Sequence, residues 1–163
     1  MCHRRMNELI SEIHMSQRNH IGLLDTAKSF YRSAERLNTG PQHLDAPLPV
    51  YYLFLHSVEL ALKSYLYSQG VGENGLRKIG HDLEVAWQKA VELGICDLCS
   101  ECQALQECIH IIGPIYRGNK LEYFYPGRKR LPAVEYIHKS SGRIITTLDE
   151  FYCHGLKNEV VTI

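Results

Sequence analysis

The sequence lacks several things, and each absence removes a class of function. It has no net charge: 18 Lys and Arg balance 18 Asp and Glu over 163 residues. The chain as a whole is therefore not drawn electrostatically to nucleic acid or a membrane surface. It has no uncharged apolar run of the roughly 18 residues that a membrane-crossing helix needs. No apolar–polar alternation recurs often enough to build a sheet, and there is no internal repeat or low-complexity tract. The phosphate-binding Gly-x-x-x-x-Gly-Lys loop, the His-Glu-x-x-His pair of zinc proteases and the Gly-x-Ser-x-Gly nucleophile turn are all missing. The first residues, Met1-Cys2-His3-Arg4-Arg5, are basic, but Asn7, Glu8, Ser11 and Glu12 follow where a secretory signal would be apolar. A cytoplasmic location is the expectation.

What is present is helical periodicity. Apolar residues recur at intervals of three and four over 6–16 and again over 20–37, where Ile21, Leu24, Ala27, Phe30, Tyr31, Ala34 and Leu37 form one stripe. Asn38-Thr39-Gly40-Pro41 stops that helix. The strongest pattern lies in 50–69, where Phe54, Leu55, Val58, Ala61, Leu62, Tyr65 and Leu66 share a broad face. The four glycines of 70–80 read as a loop with a turn near Leu76. Further helices are expected over 82–93, over 97–112 up to an interruption at Gly113-Pro114, and over 133–153 with a break at Ser140-Ser141-Gly142. The chain should form a single domain spanning 1–163, an all-α bundle of five to seven helices.

Four groups of residues carry chemistry. His56, Glu59 and Lys63 are spaced three and four apart, so they share one helical stripe. On a helical wheel this stripe lies opposite the apolar face. It reads either as a solvated ion-paired surface or as a polar cleft in which His56 exchanges protons near neutral pH. His81 and Asp82 would suit a base and its orienting acid. Neighbours on a helix point about 100° apart, however, and the simpler reading is a cap at a helix start, where free N–H groups also suit a phosphate.

Cys96, Cys99 and Cys102, with Cys108 beyond, have the spacing of some metal sites. On a continuous helix the first three would spread about 9 Å along the axis. That is too far for one ion, so buried thiols are the expectation, with a cysteine-bound metal as the alternative. Finally, residues 117–143 carry seven basic and two acidic side chains, which leaves the rest of the chain at −5. Tyr116, Tyr123, Phe124, Tyr125 and Tyr136 are interleaved with that charge. Cations pair with phosphates and aromatic rings stack on bases; equally, such rings fill cores and such charges face water.

Leu55-His56-Ser57-Val58-Glu59-Leu60-Ala61-Leu62-Lys63-Ser64-Tyr65-Leu66, closed by Gly70, resembles the central helix of the HEPN family. Gly80-His81-Asp82-Leu83 resembles that family's next helix start. Tyr116-Arg117 and Tyr123-Phe124-Tyr125-Pro126 resemble the aromatic, basic region that follows. The resemblance spans about residues 50–130 and implies an up-and-down helical bundle. It further implies a homodimer, a setting in defence, toxin–antitoxin action or RNA processing, and metal-independent ribonuclease chemistry. The family's active members carry Arg, four to six residues, then His. Here that spacing occurs only at Arg36 and His43, in an early Gly-Pro loop.

The expectation is a HEPN-like domain that binds or cleaves RNA or a nucleotide, with no cofactor, no metal and no membrane contact. The catalytic candidates are His56, His81 and Arg117; the ligand-binding candidates are Glu59, Lys63, Asp82, Lys120 and Tyr125. The competing expectation is a non-catalytic module for dimerisation or for binding a protein partner.

Overall fold

Seven α-helices and no strand occupy the described residues of this computed structural model, which are 2–39, 48–117, 121 and 131–159. Side chains are described for 20–39, 48–117, 121 and 131–155. The helices are α1 (Cys2–Thr39), α2 (Leu48–Ser68), α3 (Glu73–Ile79), α4 (Leu83–Glu92), α5 (Ile95–Leu98), α6 (Cys102–Arg117) and α7 (Val134–Glu159). Among the described residues, no helix is long and apolar enough to cross a membrane.

The central element is α2, which packs against α1, α7 and α4. A helix enclosed in this way must be apolar nearly all round. Phe54, Ala61, Leu62 and Leu66 have no exposed surface. Cutting Leu62 back to Ala would cost about 2–5 kcal/mol. The polar residues that α2 buries have partners, as burial requires. Ser57 donates to the Phe54 carbonyl at 2.6 Å, and Ser64 donates to the His20 carbonyl at 2.6 Å while lying 3.0 Å from the Tyr152 hydroxyl.

Several boundaries differ from the sequence reading, each for a physical reason. The two N-terminal helices are one, since Gln17, Arg18 and Asn19 hold no proline or glycine to interrupt the ladder. The Ser140-Ser141-Gly142 break is absent. Ser140 and Ser141 are instead buried within the continuous helix, and Gly142 lets α7 approach α1, since a Cβ there would lie 2.8 Å from the Tyr31 hydroxyl. Gly113-Pro114 lies inside α6, with Pro114 on the exposed side, where water can satisfy the carbonyl it leaves free. The expected 97–112 helix is split, because Cys99 is extended between α5 and α6.

The turn from α3 to α4 positions the site. Gly80 takes φ +59°, and its N–H bonds the Leu76 carbonyl at 3.2 Å, closing α3. Asp82 then caps α4, its carboxylate accepting from the N–H groups of Glu84 at 3.1 Å and Val85 at 3.2 Å. His81 is left projecting between the two helices, with its side chain 65% exposed.

Candidate functional site: a buried glutamate and its imidazoles

The stripe His56, Glu59, Lys63 is not a solvated surface. Glu59 is 2% exposed, and His56 and Lys63 only 19% and 16%. The helical wheel placed these residues opposite the apolar face, but it could not show what covers that side. Tyr116 of α6, His81 of the α3–α4 turn and Phe30 of α1 close over it.

Four donors converge on Glu59. Lys63 Nζ lies 2.6 Å away, His81 Nδ1 3.1 Å and His56 Nδ1 3.4 Å, and the Tyr116 hydroxyl donates a short bond to Oε2. Burial alone would push this carboxyl up. The bonds from His56, Lys63, Tyr116 and His81 outweigh that and hold it well below the usual carboxylate range. An ionised carboxylate only accepts, so His81 Nδ1 must carry a proton. In a neutral His81 ring the other nitrogen, Nε2, is then a lone-pair acceptor. Nε2 bonds no described residue.

His56 is fixed differently. Its Nδ1 lies 3.0 Å from the Tyr116 oxygen, which accepts from it and donates to Glu59. Its ring lies parallel to Tyr52 at 5.7 Å and edge-on to Phe30 at 4.5 Å. His56 is a pinned part of the wall, whereas His81 faces outward.

Arg117 stands beside this network. Its guanidinium bonds Asp82 at 2.8 Å and lies 3.9 Å from Glu84, which is also 3.2 Å from His110 Nδ1. Burial raises the Asp82 carboxyl, but the Arg117 bond and charge and the cap N–H groups together outweigh it and bring the carboxyl below its ordinary value. Gly113 makes the arrangement fit, since a Cβ there would come 2.8 Å from Glu84 Cγ. The sequence candidates His56, Glu59, Lys63 and His81 therefore share one network, and Asp82 and Arg117 flank it. Lys120 and Tyr125 lie outside the described residues.

The sequence reading missed Tyr116 as the link between His56 and Glu59, missed Glu84 altogether, and weighed His110 only as a fourth ligand for a cysteine-bound zinc. A signal was present: His110, Gly113 and Arg117 repeat on α6 the three-and-four spacing of His56, Glu59 and Lys63 on α2.

The cysteines lie elsewhere. Cys96 and Cys102 are joined in a disulfide, with Cα atoms 5.2 Å apart. Cys99 is partly exposed and Cys153 exposed. Burial pushes up the thiol of Cys108, partly offset by a hydrogen bond with Ser140. Among the described residues, no group of three or more His, Cys, Asp or Glu side chains is arranged to hold a metal ion. No family model matches the chain, and no curated protein or solved structure shows significant similarity to it.

Proposed function

We propose that this chain is a HEPN-like bundle that binds RNA and cleaves it without a metal at the corner formed by Glu59, His81 and Arg117. One observation carries the reading: the buried Glu59 carboxylate grips His81 by Nδ1, leaving Nε2 outward on an exposed ring. Arg117 is tied to the very next residue, Asp82. The sequence resemblance over 50–130 supports the same reading. The family's Arg-to-His spacing along one segment is replaced by a pair drawn from α6 and the α3–α4 turn.

The chemistry is a transesterification within the RNA. His81 Nε2 takes the proton of a ribose 2′-OH as that oxygen attacks the adjacent phosphorus. The O2′–P bond forms and the P–O5′ bond breaks, leaving a 2′,3′-cyclic phosphate. The imidazolium, stabilised by Glu59, returns its proton to the departing 5′ oxygen. Arg117 faces the charge that gathers on the phosphorane oxygens. Lys63 and Tyr116 keep Glu59 ionised and in place.

The test is a labelled RNA pool incubated with the purified chain, with and without EDTA, beside His81→Ala. EDTA-resistant cleavage that disappears in the variant supports the reading. Cleavage abolished by EDTA rules out the metal-free mechanism. No cleavage at any protein concentration favours the second reading, a non-catalytic interaction module. That alternative has its own observation: Val85, Val91 and Ile111 on α4 and α6 are exposed, and the Glu59 network is satisfied internally.

A further inference from the structure

The cysteines at the junction of α5 and α6 take no part in the chemistry above. Cys96 and Cys102 are joined, and Cys99, midway between them in sequence, keeps a free thiol. A thiol and a disulfide are the two reactants of thiol–disulfide exchange, and here both lie in one short loop. Cys99 has extended backbone at the end of α5, just before α6 begins.

A cavity of about 380 Å³ opens between this loop and α7. Small-molecule sites typically occupy about 300–1,000 Å³. Of the three cysteines only Cys99 lines the cavity, and Glu101, Lys139, Arg143, Thr146 and Thr147 form further walls. Lys139 and Arg143 stand about one turn apart on α7. Arg143 is ion-paired with Glu101, while Lys139 lies 3.5 Å from Glu135 in a pair exposed on both sides. Exposed pairs are weakly held, so an incoming carboxylate can take Glu135's place. The walls therefore combine a thiol, two cations, a carboxylate and hydroxyl groups. A small thiol that itself carries carboxylates and an ammonium group, as glutathione does, is complementary to that set.

We propose that Cys99 is the receiving thiol of an exchange site, which takes a small anionic thiol into this cavity and relays its electrons to the Cys96–Cys102 disulfide. The ligand's carboxylates face Lys139 and Arg143, and its ammonium faces Glu101. In the first step the Cys99 thiolate attacks the Cys96 sulfur. The Cys99–Cys96 bond forms, the Cys96–Cys102 bond breaks, and Cys102 leaves as a thiolate. Cys102 suits that role as the first residue of α6, where free N–H groups stabilise negative charge. In the second step the ligand thiolate attacks Cys99, forming a mixed disulfide and releasing Cys96. A second ligand thiolate then attacks the ligand sulfur of that bond and frees Cys99. Two small thiols are thereby oxidised to one disulfide, and their protons end on Cys96 and Cys102.

The test incubates the oxidised full chain with reduced glutathione or, separately, with β-mercaptoethanol, a thiol that carries no charged group besides its sulfur. Samples quenched in acid are alkylated and mapped by mass spectrometry. Glutathione is expected on Cys99, with free thiols appearing at Cys96 and Cys102. Cys99→Ser should slow the appearance of those two thiols in glutathione by at least about tenfold. Lys139→Gln should slow the glutathione reaction about fivefold and leave the β-mercaptoethanol reaction unchanged, a split that misfolding would not produce.

Reduction of Cys96–Cys102 at the parent rate in Cys99→Ser overturns the proposal. So does glutathione found on the exposed Cys153 alone. Equal slowing of both thiols by Lys139→Gln, or slowing of neither, rules out the cavity as an anionic-thiol site. No RNA enters the assay, so its result is independent of the His81 chemistry.

Discussion

Glu59 with His81 and Glu35 with His138 are the same two side chains joined in opposite ways. In the first pair the carboxylate is buried at 2% exposure and the imidazole is exposed at 65%. In the second the carboxylate is the more exposed partner, at 39%, and the imidazole is 30% exposed. His138 bonds Glu35 through Nε2 at 2.8 Å, and its ring lies against Tyr31 at 5.5 Å and Phe54 at 5.3 Å. A buried carboxylate behind an outward imidazole can orient a base and stabilise its protonated form. An imidazole packed among aromatic rings, with its acid toward water, joins α7 to α1 and α2. On the proposed function, which partner is buried separates the reactive arrangement from the structural one.

The sharpest way to break that contrast is to remove each imidazole. His81→Ala should lower RNA cleavage by about 10²–10⁴-fold, the usual range for a lost general base, while leaving the melting temperature close to that of the parent. His138→Ala should do the reverse, lowering the melting temperature and sparing the cleavage rate of the protein that remains folded. Equal losses of cleavage from the two variants would show that burial does not distinguish the pairs.

Removing the acids gives the next largest effect. Glu59→Gln leaves Lys63 without the negative partner it lies beside, and breaking a buried ion pair typically costs about 3–5 kcal/mol. Glu35→Gln should cost about 0–1 kcal/mol, as exposed pairs do. Denaturant midpoints of the two variants measure the difference. Midpoints shifted by the same amount would mean that the four donors around Glu59 add little beyond what water supplies.

These residues also show what the sequence could and could not reveal. The shared stripe of His56, Glu59 and Lys63 was legible, because three-and-four spacing is local. Its burial was not, because Tyr116 lies 57 residues from Glu59 and His81 lies 22 away. A helical wheel takes no account of partners so distant. The polar character of Glu59 suggested solvent, since carboxylates are seldom fully buried unless paired. Asp82 was legible as a cap for the opposite reason: its partners, Glu84 and Val85, are two and three residues away. Gly113-Pro114 and Ser140-Ser141-Gly142 read as breaks because small residues and proline often end helices. In the folded chain Gly113 and Gly142 instead make room for Glu84 and Tyr31. Only the position of a second helix separates those two roles.

The two regions, Glu59 in one and Tyr31 beside Glu35 in the other, should also respond to opposite ends of the pH scale. The folded Glu59 carboxyl lies well below its ordinary value of 4.5. The stability it contributes is therefore complete above that value and fades as pH falls beneath it toward the folded pKa. Burial, reinforced by the nearby Glu35, pushes the Tyr31 phenol from 10 up to about 12. A raised pKa gives stability that is present below pH 10 and lost as pH climbs toward about 12. Unfolding free energies measured across pH should fall at both ends. Glu59→Gln should flatten only the acid limb, and Tyr31→Phe only the alkaline one. A variant that flattened both limbs would mean that the two regions titrate as one unit.

The smallest effect is expected at Gly113. Replacing it with Ala favours the helix by about 1 kcal/mol. The new Cβ, however, would meet Glu84 Cγ at 2.8 Å and push that side chain away from Arg117 and His110. The helical gain and the lost contacts act on stability in opposite directions, so the melting temperature should barely move. Arg117 would still hold Asp82 at 2.8 Å, which keeps the guanidinium tied to the residue that follows His81 but no longer braced on its second side. Cleavage should therefore fall only roughly fivefold, equivalent to about 1 kcal/mol of barrier. Gly142→Ala provides the matching control: it crowds Tyr31 in the structural region and should lower stability without changing the rate per folded molecule. If Gly113→Ala leaves cleavage at the parent rate, Glu84 is not a brace for Arg117, and the reactive corner reduces to Glu59, His81 and an arginine held by Asp82 alone.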